Sequence, residues 1–408
     1  MSGGKNGLGP LWKLDGLQLL LTAGALLNSI AFFAALPFAA LYLDARTGLS
    51  EGAIGAVIGS IALIASVGGV LGGILIDRFG TVPMMILGLS CYVAIYLGLT
   101  AATSTTAIVA LLLGLGAARL FVEPGGKKLM SLAADEDGRI FRVRYMVLCF
   151  GAIVGPAIGG VLYSVSVTAF FAVPAFFYSG YLTLIAVRRK PLAALENTVD
   201  ERGPRFPLRD ALRDVRLLAA TGAGVAIFFV FSQLESMIPL YMSSEWGEEA
   251  VRYFAVLFIA NAVLALVMQV PIAWLSGKIA RPTLILIGCS AFALSFLCFY
   301  LAADQGLAML YLGIFLWTVG EGVLLPLPDI AVHEIAVDDR KGTYFGIAEI
   351  RYIGFFAGPF VGGLLLAHGS VYFVVMALAV FACVPLLLTR GSSPADTKGQ
   401  EVTAGADS

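Results

Sequence analysis

The sequence predicts an all-α polytopic membrane protein, with twelve transmembrane helices arranged as two pseudo-symmetric six-helix halves. Three observations carry that reading. The 408-residue chain is 59% hydrophobic and only 13% charged, with a mean hydropathy of +0.91, whereas soluble domains carry roughly 25% charged residues. Uncharged windows of about 20 residues or more, the length that crosses a bilayer as a helix, recur along the chain. A glycine-proline pattern in the first half returns in the second.

The windows assign the spans in order. Residues 16–43 hold the first and 52–76 the second. Residues 79–118 hold two, broken at Thr103-Ser104-Thr105-Thr106, and 145–187 hold two more, broken at Ser164-Val165-Ser166. The seventh lies near 217–241, the eighth at 253–277, the ninth at 282–303 and the tenth near 307–330, the seventh and tenth carrying Glu235 and Glu321. Residues 352–389 hold the last two, broken at His368-Gly369-Ser370. The first window follows Lys5 and Lys13, but it is longer than the apolar core of a signal peptide and is expected to be a retained helix.

Basic residues test this layout, because Lys and Arg concentrate in cytoplasmic loops. With the N-terminus inside, only Arg46 and Arg252 of the 26 Lys and Arg residues fall in outside loops, and Arg119 and Arg351 lie within helices. Lys127, Lys128, Arg139, Arg142 and Arg144 fall in one inside loop and Arg340 and Lys341 in another. Both termini are therefore expected in the cytoplasm, and the chain in an inner or plasma membrane.

The repeat is Gly151-Ala-Ile-Val-Gly155-Pro156-Ala-Ile-Gly159-Gly160 in the fifth span and Gly354-Phe-Phe-Ala-Gly358-Pro359-Phe-Val-Gly362-Gly363 in the eleventh, a constant offset of 203 residues. An offset of half the chain divides it into an N-terminal half (1–187), a linker (188–213), a C-terminal half (214–390) and a tail (391–408). Parallel halves of this kind place substrate at their interface. The linker is basic and proline-containing, and its Pro207–Arg216 end has amphipathic helical spacing suited to a membrane surface. The tail, rich in Ser, Gly, Asp and Ala, is expected to be disordered.

Other chemistries lack their signatures. Cys91, Cys149, Cys289, Cys298 and Cys383 sit in apolar stretches without metal or disulfide spacing, and His333 and His368 are far apart, so no metal or cofactor is expected. There is no Walker loop, GxSxG, His pair or aspartate pair. An enzyme is thus disfavoured, and any transport must draw on a gradient.

Gly73-Ile-Leu-Ile-Asp77-Arg78-Phe-Gly80 after the second span resembles the GxxxDRxG signature of the major facilitator superfamily, and GxxxGPxxGG in the fifth span is similar to the motif of its drug:proton antiporter branch. The resemblance covers essentially the whole chain. It departs in that Thr81 and Val82 stand where two basic residues usually follow, and Ala273-Trp-Leu-Ser-Gly277-Lys278 lacks the aspartate. The resemblance implies proton-coupled efflux of a small amphipathic molecule, a drug or natural product, by alternating access. Import of a metabolite or siderophore-like compound, and lipid flipping, remain open on the same fold. The expected partners are the substrate, protons and the bilayer, with no nucleic acid, for a monomer.

Gating candidates follow: Gly73, Asp77, Arg78 and Gly80 in the loop, and Gly151, Gly155, Pro156, Gly159, Gly358 and Pro359 in the repeats. Asp77 suits the positive N-terminus of a neighbouring helix, and glycines every four residues let helices approach closely. Ionisable groups at bilayer depth are functional candidates by default. Glu123, Glu235, Glu321 and Arg119 are the candidates for proton coupling. Arg119 and Glu123, four residues apart, share a helix face and are expected either to titrate or to neutralise one another. Glu235 is either a coupling group or a solvated one. Glu349 and Arg351 enter the eleventh span from inside. Asn28, Phe32, Gln233, Asn261 and Gln269 are the expected substrate-cavity residues, an apolar lining with few polar groups.

Overall fold

The computed structural model describes residues 14–49, 51–134, 138–197, 211–336, 340–366 and 368–389. Among these, the ordered structure is entirely helical, and twelve helices are long and apolar enough to cross a membrane. The six of the first half are α1 (Gly16–Ala35), α2 (Val57–Phe79), α3 (Thr81–Ala101), α4 (Thr105–Leu132), α5 (Arg139–Tyr163) and α6 (Val167–Val187). The second half comprises α7 (Val215–Trp246), α8 (Val256–Ser276), α9 (Arg281–Gln305), α10 (Leu307–Ile335), α11 (Lys341–Leu366) and α12 (Ser370–Leu387).

Local chemistry sets the boundaries. Asp15 caps α1 through its carboxylate on the amides of Leu17 (2.8 Å) and Gln18 (2.7 Å), and Gln18 answers on the Asp15 amide, closing a capping box. Ser104 and Ser166 cap α4 and α6, so the Ser/Thr breaks within the long windows are helix starts. Gly80 links α2 to α3 with φ +90°, a conformation that side chains disfavour. The first window is shorter as a span than expected. Pro37 lies in a 3-10 turn, Leu36–Phe38, that ends α1, and a short helix Ala39–Thr47 follows.

Four helices overrun the uncharged windows at one end of the bundle. There α4 runs on to Leu132, α5 starts at Arg139, α10 reaches Ile335 and α11 starts at Lys341. Lys127, Lys128, Arg144 and Lys341 are therefore helical and not loop residues. This is the end that carries most basic residues, and it is called the basic end below. Within the linker, Arg189–Asn197 is a helix packed against α3 and α4. Residues 207–210 of the Pro207–Arg216 segment and the whole 391–408 tail lie outside the described residues.

The repeats pack on equivalent neighbours. A Cβ on Gly155 would come within 2.7 Å of Phe33 Cβ and 2.9 Å of the Ala34 nitrogen, and Gly151 and Gly159 face Ser29 and Ala34 just as closely. On α11, Gly354, Gly358 and Gly362 meet Val225, Ser232 and Gln233 of α7. Ser29 and Ser232 are themselves related by the 203-residue offset. Each glycine face thus seats one helix pair, α1 with α5 and α7 with α11, at a separation no larger residue permits. One large apolar core unites most of the first half and extends into the second through residues such as Val332, Phe345 and Ile347, and another, from Ala223 to Leu387, lies within the second half.

Gly155→Val and Gly358→Val are each expected to destabilise the protein by about 1–3 kcal/mol, the usual cost of overpacking. Thermal unfolding of the purified variants in detergent checks this, with Gly160→Val, where the nearest atom is 3.4 Å away, as the milder control.

Candidate functional site

At the basic end, α2 of the first half crosses the start of α11 of the second. A Cβ on Gly73 would lie 2.8 Å from the Gly342 carbonyl carbon and 2.9 Å from Thr343 Cα, and Gly346 packs as tightly on Gly69. That contact brings Asp77 onto the N-terminus of α11. One carboxylate oxygen accepts from the Gly342 amide (3.0 Å), and the other from the Thr343 amide (2.6 Å) and hydroxyl (2.5 Å). The first turn of a helix holds unpaired amides and the positive end of its dipole, so a carboxylate is the complementary group there.

Asp77 is also tied to the linker. Lys128 lies 2.9 Å from Asp77 and 2.9 Å from Glu196 of the linker helix. Glu196 accepts from the Thr81 amide at 3.1 Å and from its hydroxyl at 2.5 Å, capping α3. Thr81, which departs from the signature's basic pair, therefore serves as the linker's attachment. Arg78 is exposed and lies over the ring of Phe79.

Beside this crossing lies a buried ionic cluster built from both halves. Lys127 of α4, fully buried, bonds Glu349 and lies 3.5 Å from Asp329. Arg351 grips Asp329 with both terminal nitrogens (2.8 and 3.2 Å) and lies 3.8 Å from Glu349. Arg144 of α5 donates to Glu123 at 2.7 Å and lies 3.7 Å from Asp329, and Asn28 of α1 donates to the other Glu123 oxygen at 3.0 Å. Three cations face three carboxylates, with Asp329 touching all three cations. A cavity of about 20 Å³, room for one water, lies against Asn28, Glu123, Lys127, Arg144 and Tyr181. Ser66 donating to the Glu349 carbonyl (3.1 Å) and Lys341 donating to the Ser131 carbonyl (3.2 Å) add further ties between the halves.

The expected pairing of Arg119 with Glu123 does not form. They share a face of α4, but Glu123 is occupied by Arg144 and Asn28, while Arg119 lies over the rings of Phe32 (5.0 Å) and Tyr352 (5.1 Å). The sequence reading also missed the hub. Asp329, between Pro328 and Ile330, is a second carboxylate at the inner end of the tenth span, and that position is the signal that was available for it. Lys127 and Lys128 were missed as helical residues because Pro124-Gly125-Gly126 ahead of them reads as a turn.

The midplane residues divide differently from expectation. Glu321 of α10 is 5% exposed. It accepts from Tyr145 of α5 at 2.6 Å and from Asn261 of α8 at 2.8 Å, and Asn261 also donates to Thr318 at 3.0 Å. Among the described residues no cation pairs with Glu321. Asn261 thus serves the carboxylate. Gln233 does not line a cavity. It is fully buried at the α7–α11 crossing, with its amide on the Phe229 carbonyl and its oxygen accepting from Tyr372. Gln269 is similarly buried beside Gly322. Glu235 is exposed on α7, with no ion pair among the described residues.

Twelve spans in two halves, joined by polar contacts at one end and by a lone buried carboxylate at mid-depth, describe a membrane transporter that works by moving one half against the other. Residues 21–352 and 250–406 match the Major Facilitator Superfamily, and the chain belongs to that family. It is accordingly a multi-pass membrane transporter and not an enzyme. It is 26% identical to the MFS-type transporter YqjV of Bacillus subtilis over 87% of this chain and 88% of that one. It is 23% identical to the multidrug resistance protein MdtH of Shigella dysenteriae over 84% of each. Its fold matches the human organic anion transporter MFSD10 with a TM-score of 0.72, covering 91% of this chain and 98% of that one at 18% identity.

Asp77→Asn removes both the anion on the α11 N-terminus and a partner of Lys128, a loss of about 1–3 kcal/mol for charged hydrogen bonds. It is expected to raise the population separated at the basic end by about tenfold. Distances between spin labels at exposed Arg189 and Lys278 in the full chain measure this, as growth of the longer-distance component.

Proposed function

We propose that this transporter exports a small amphipathic molecule in exchange for protons, with Glu321 as the coupling carboxylate. The observation that carries the reading is the setting of Glu321: buried in a membrane span, without a cation among the described residues, and bonded to a hydroxyl from the opposite half. A carboxylate whose hydrogen-bond donor sits on the other moving body has a proton affinity that depends on how the halves are arranged. Protonation and conformation are then linked in both directions. Glu123 lacks this property, since Arg144 and Asn28 are both in its own half. In this reading Glu123 belongs to the seal at the basic end, and Glu235 is a secondary carboxylate facing the substrate path.

Export is supported by the GxxxGPxxGG motif of α5 and by the likeness to MdtH, a protein named for multidrug resistance. Alternating access follows from the seal. Asp77 on the α11 N-terminus and Lys127 on Glu349 and Asp329 hold the halves together at the basic end in one state, and breaking these contacts opens it in the other. The near absence of Lys and Arg from the opposite loops supports a cytoplasmic basic end and cytoplasmic termini in an inner or plasma membrane. The transporter acts as a monomer, with Asn28 and Phe32 among its substrate-path residues.

In proteoliposomes with an imposed pH gradient, adding transported substrate is expected to dissipate the gradient with wild-type protein. With Glu321→Gln the substrate-driven component is expected to fall at least about tenfold, the effect of losing a single titrating group of the mechanism. A Glu321→Gln protein that moves protons at the wild-type rate would remove Glu321 from the coupling role.

A further inference from the structure

Among the described residues, Lys127, Arg144, Arg351 and Arg119 gather near the α4–α11 junction, and of these four Arg119 alone has no carboxylate at ion-pair distance. Lys127, Arg144 and Arg351 are matched by Glu123, Asp329 and Glu349. Arg119 stands one helical turn from Glu123 toward mid-span and makes no ion pair or hydrogen bond among the described residues. It is only half-buried. The carboxylates within reach are already engaged: both oxygens of Glu123 are taken by Asn28 and Arg144, and Glu349 holds Lys127 and Arg351.

The surroundings of Arg119 are aromatic and come from both halves. Its guanidinium carbon is 5.0 Å from the Phe32 centroid on α1 and 5.1 Å from the Tyr352 centroid on α11. Phe32 is braced edge-on by Phe33 at 5.2 Å, and Tyr352 by Phe228 at 4.9 Å, itself 6.2 Å from Phe231. Arg351 shares this wall, 5.4 Å from Phe228 and 5.7 Å from Tyr352, but brings its own carboxylate. The aromatic contacts of the two arginines are alike, and the missing anion distinguishes them.

Aromatic faces attract a guanidinium but offer no acceptors for its five N–H donors. A cation at this depth in a membrane protein ordinarily has a counter-charge. We propose that the counter-charge is supplied by the cargo: Arg119 is the anion-recognition group of the substrate site, and the substrate is an amphipathic monoanion with a planar acid group and an apolar or aromatic body. The guanidinium fork fits a carboxylate bidentately, and Phe32, Tyr352 and Phe228 pack its apolar part. Because the two flanking rings belong to opposite halves, the bound anion touches both moving bodies, which a carried substrate must do. This inference rests on the transporter reading above, but not on proton coupling or on Glu321.

The test uses the full chain in phosphatidylcholine nanodiscs, which present no anionic headgroup, and three probes of one shape: naphthoate, naphthamide and naphthylmethylammonium. Equilibrium binding is measured for wild type, Arg119→Lys and Arg119→Gln. Wild type is expected to prefer naphthoate over naphthamide by about tenfold to a hundredfold, the range for a charged hydrogen-bonded contact, with the ammonium weakest. Arg119→Gln is expected to abolish that preference while keeping the affinity for naphthamide, and Arg119→Lys to keep part of it. The proposal is overturned if wild type binds the amide or the ammonium as tightly as the acid, if none of the three binds, or if Arg119→Gln retains the preference. Should Arg119→Gln fail to fold, the wild-type ranking and Arg119→Lys decide. Glu321→Gln separates the two readings: with the anion preference intact and proton movement lost, both stand, and with proton movement also intact, only the coupling assignment falls.

Discussion

The structure is governed by the need to match charge inside a membrane protein. Asp329 is the clearest case. It contacts Lys127, Arg351 and Arg144, and each of those cations would be prohibitively placed without it, since removing one partner of a buried pair costs about 3–5 kcal/mol. With the cluster in place, α4 and α5 can carry cations within helices and the two halves have a specific meeting point. In the 3-10 turn Glu349–Arg351 of α11 the two opposite charges, two positions apart, lie about 120° apart around the axis where a regular α-helix would place them about 160° apart, so both reach the cluster.

The contacts within a half and those between halves differ in kind. Within each half, α1 against α5 and α7 against α11 are glycine-seated packings with no room to slide. Between the halves, the Gly69/Gly73 to Gly342/Gly346 crossing and apolar packing such as Phe141 on Phe345 are accompanied by hydrogen bonds and ion pairs: Asp77 to α11, Lys127 to Glu349, Ser66 to Glu349 and Tyr145 to Glu321. Polar bonds can be exchanged for water at modest net cost, whereas close packing cannot be undone without creating voids. The polar ties are the part of this interface that water can replace without leaving voids. The linker joins the same logic, because Lys128 bridges Asp77 to Glu196 and so connects the interhelical seal to the segment that joins the halves.

Two mid-depth charges stand apart from the cluster, and they are opposite in sign. Glu321 is satisfied only by neutral donors, one of them from the other half. Arg119 is flanked only by aromatic rings, one from each half. The permanent charges of the cluster neutralise one another and have nothing to exchange. The two that are left are the groups proposed above for proton coupling and anion recognition, and both sit where the halves meet.

Much of the architecture was legible in the sequence because bilayer thickness dictates it. An uncharged stretch of about 20 residues has few alternatives to a span, so the twelve helices, their Ser/Thr starts and the repeat at an offset of 203 residues could be read from one chain. The helix ends could not, since Lys127 and Arg144 look like loop residues until their carboxylates are located on other helices, and Lys341 until its contact with the Ser131 carbonyl is seen. The same holds for the site. Helical periodicity puts Arg119 and Glu123 on one face, but it cannot say that Arg144, a helix away, outcompetes Arg119 for that carboxylate. Nor can it say that Gln233 is spent on the α7–α11 packing, that Asn261 serves Glu321, or that Tyr145 bridges the halves. Sequence determines where polar groups may be tolerated along each helix. Only tertiary structure decides which of them meet, because pairing depends on helix rotation and crossing, which are set by contacts between segments hundreds of residues apart.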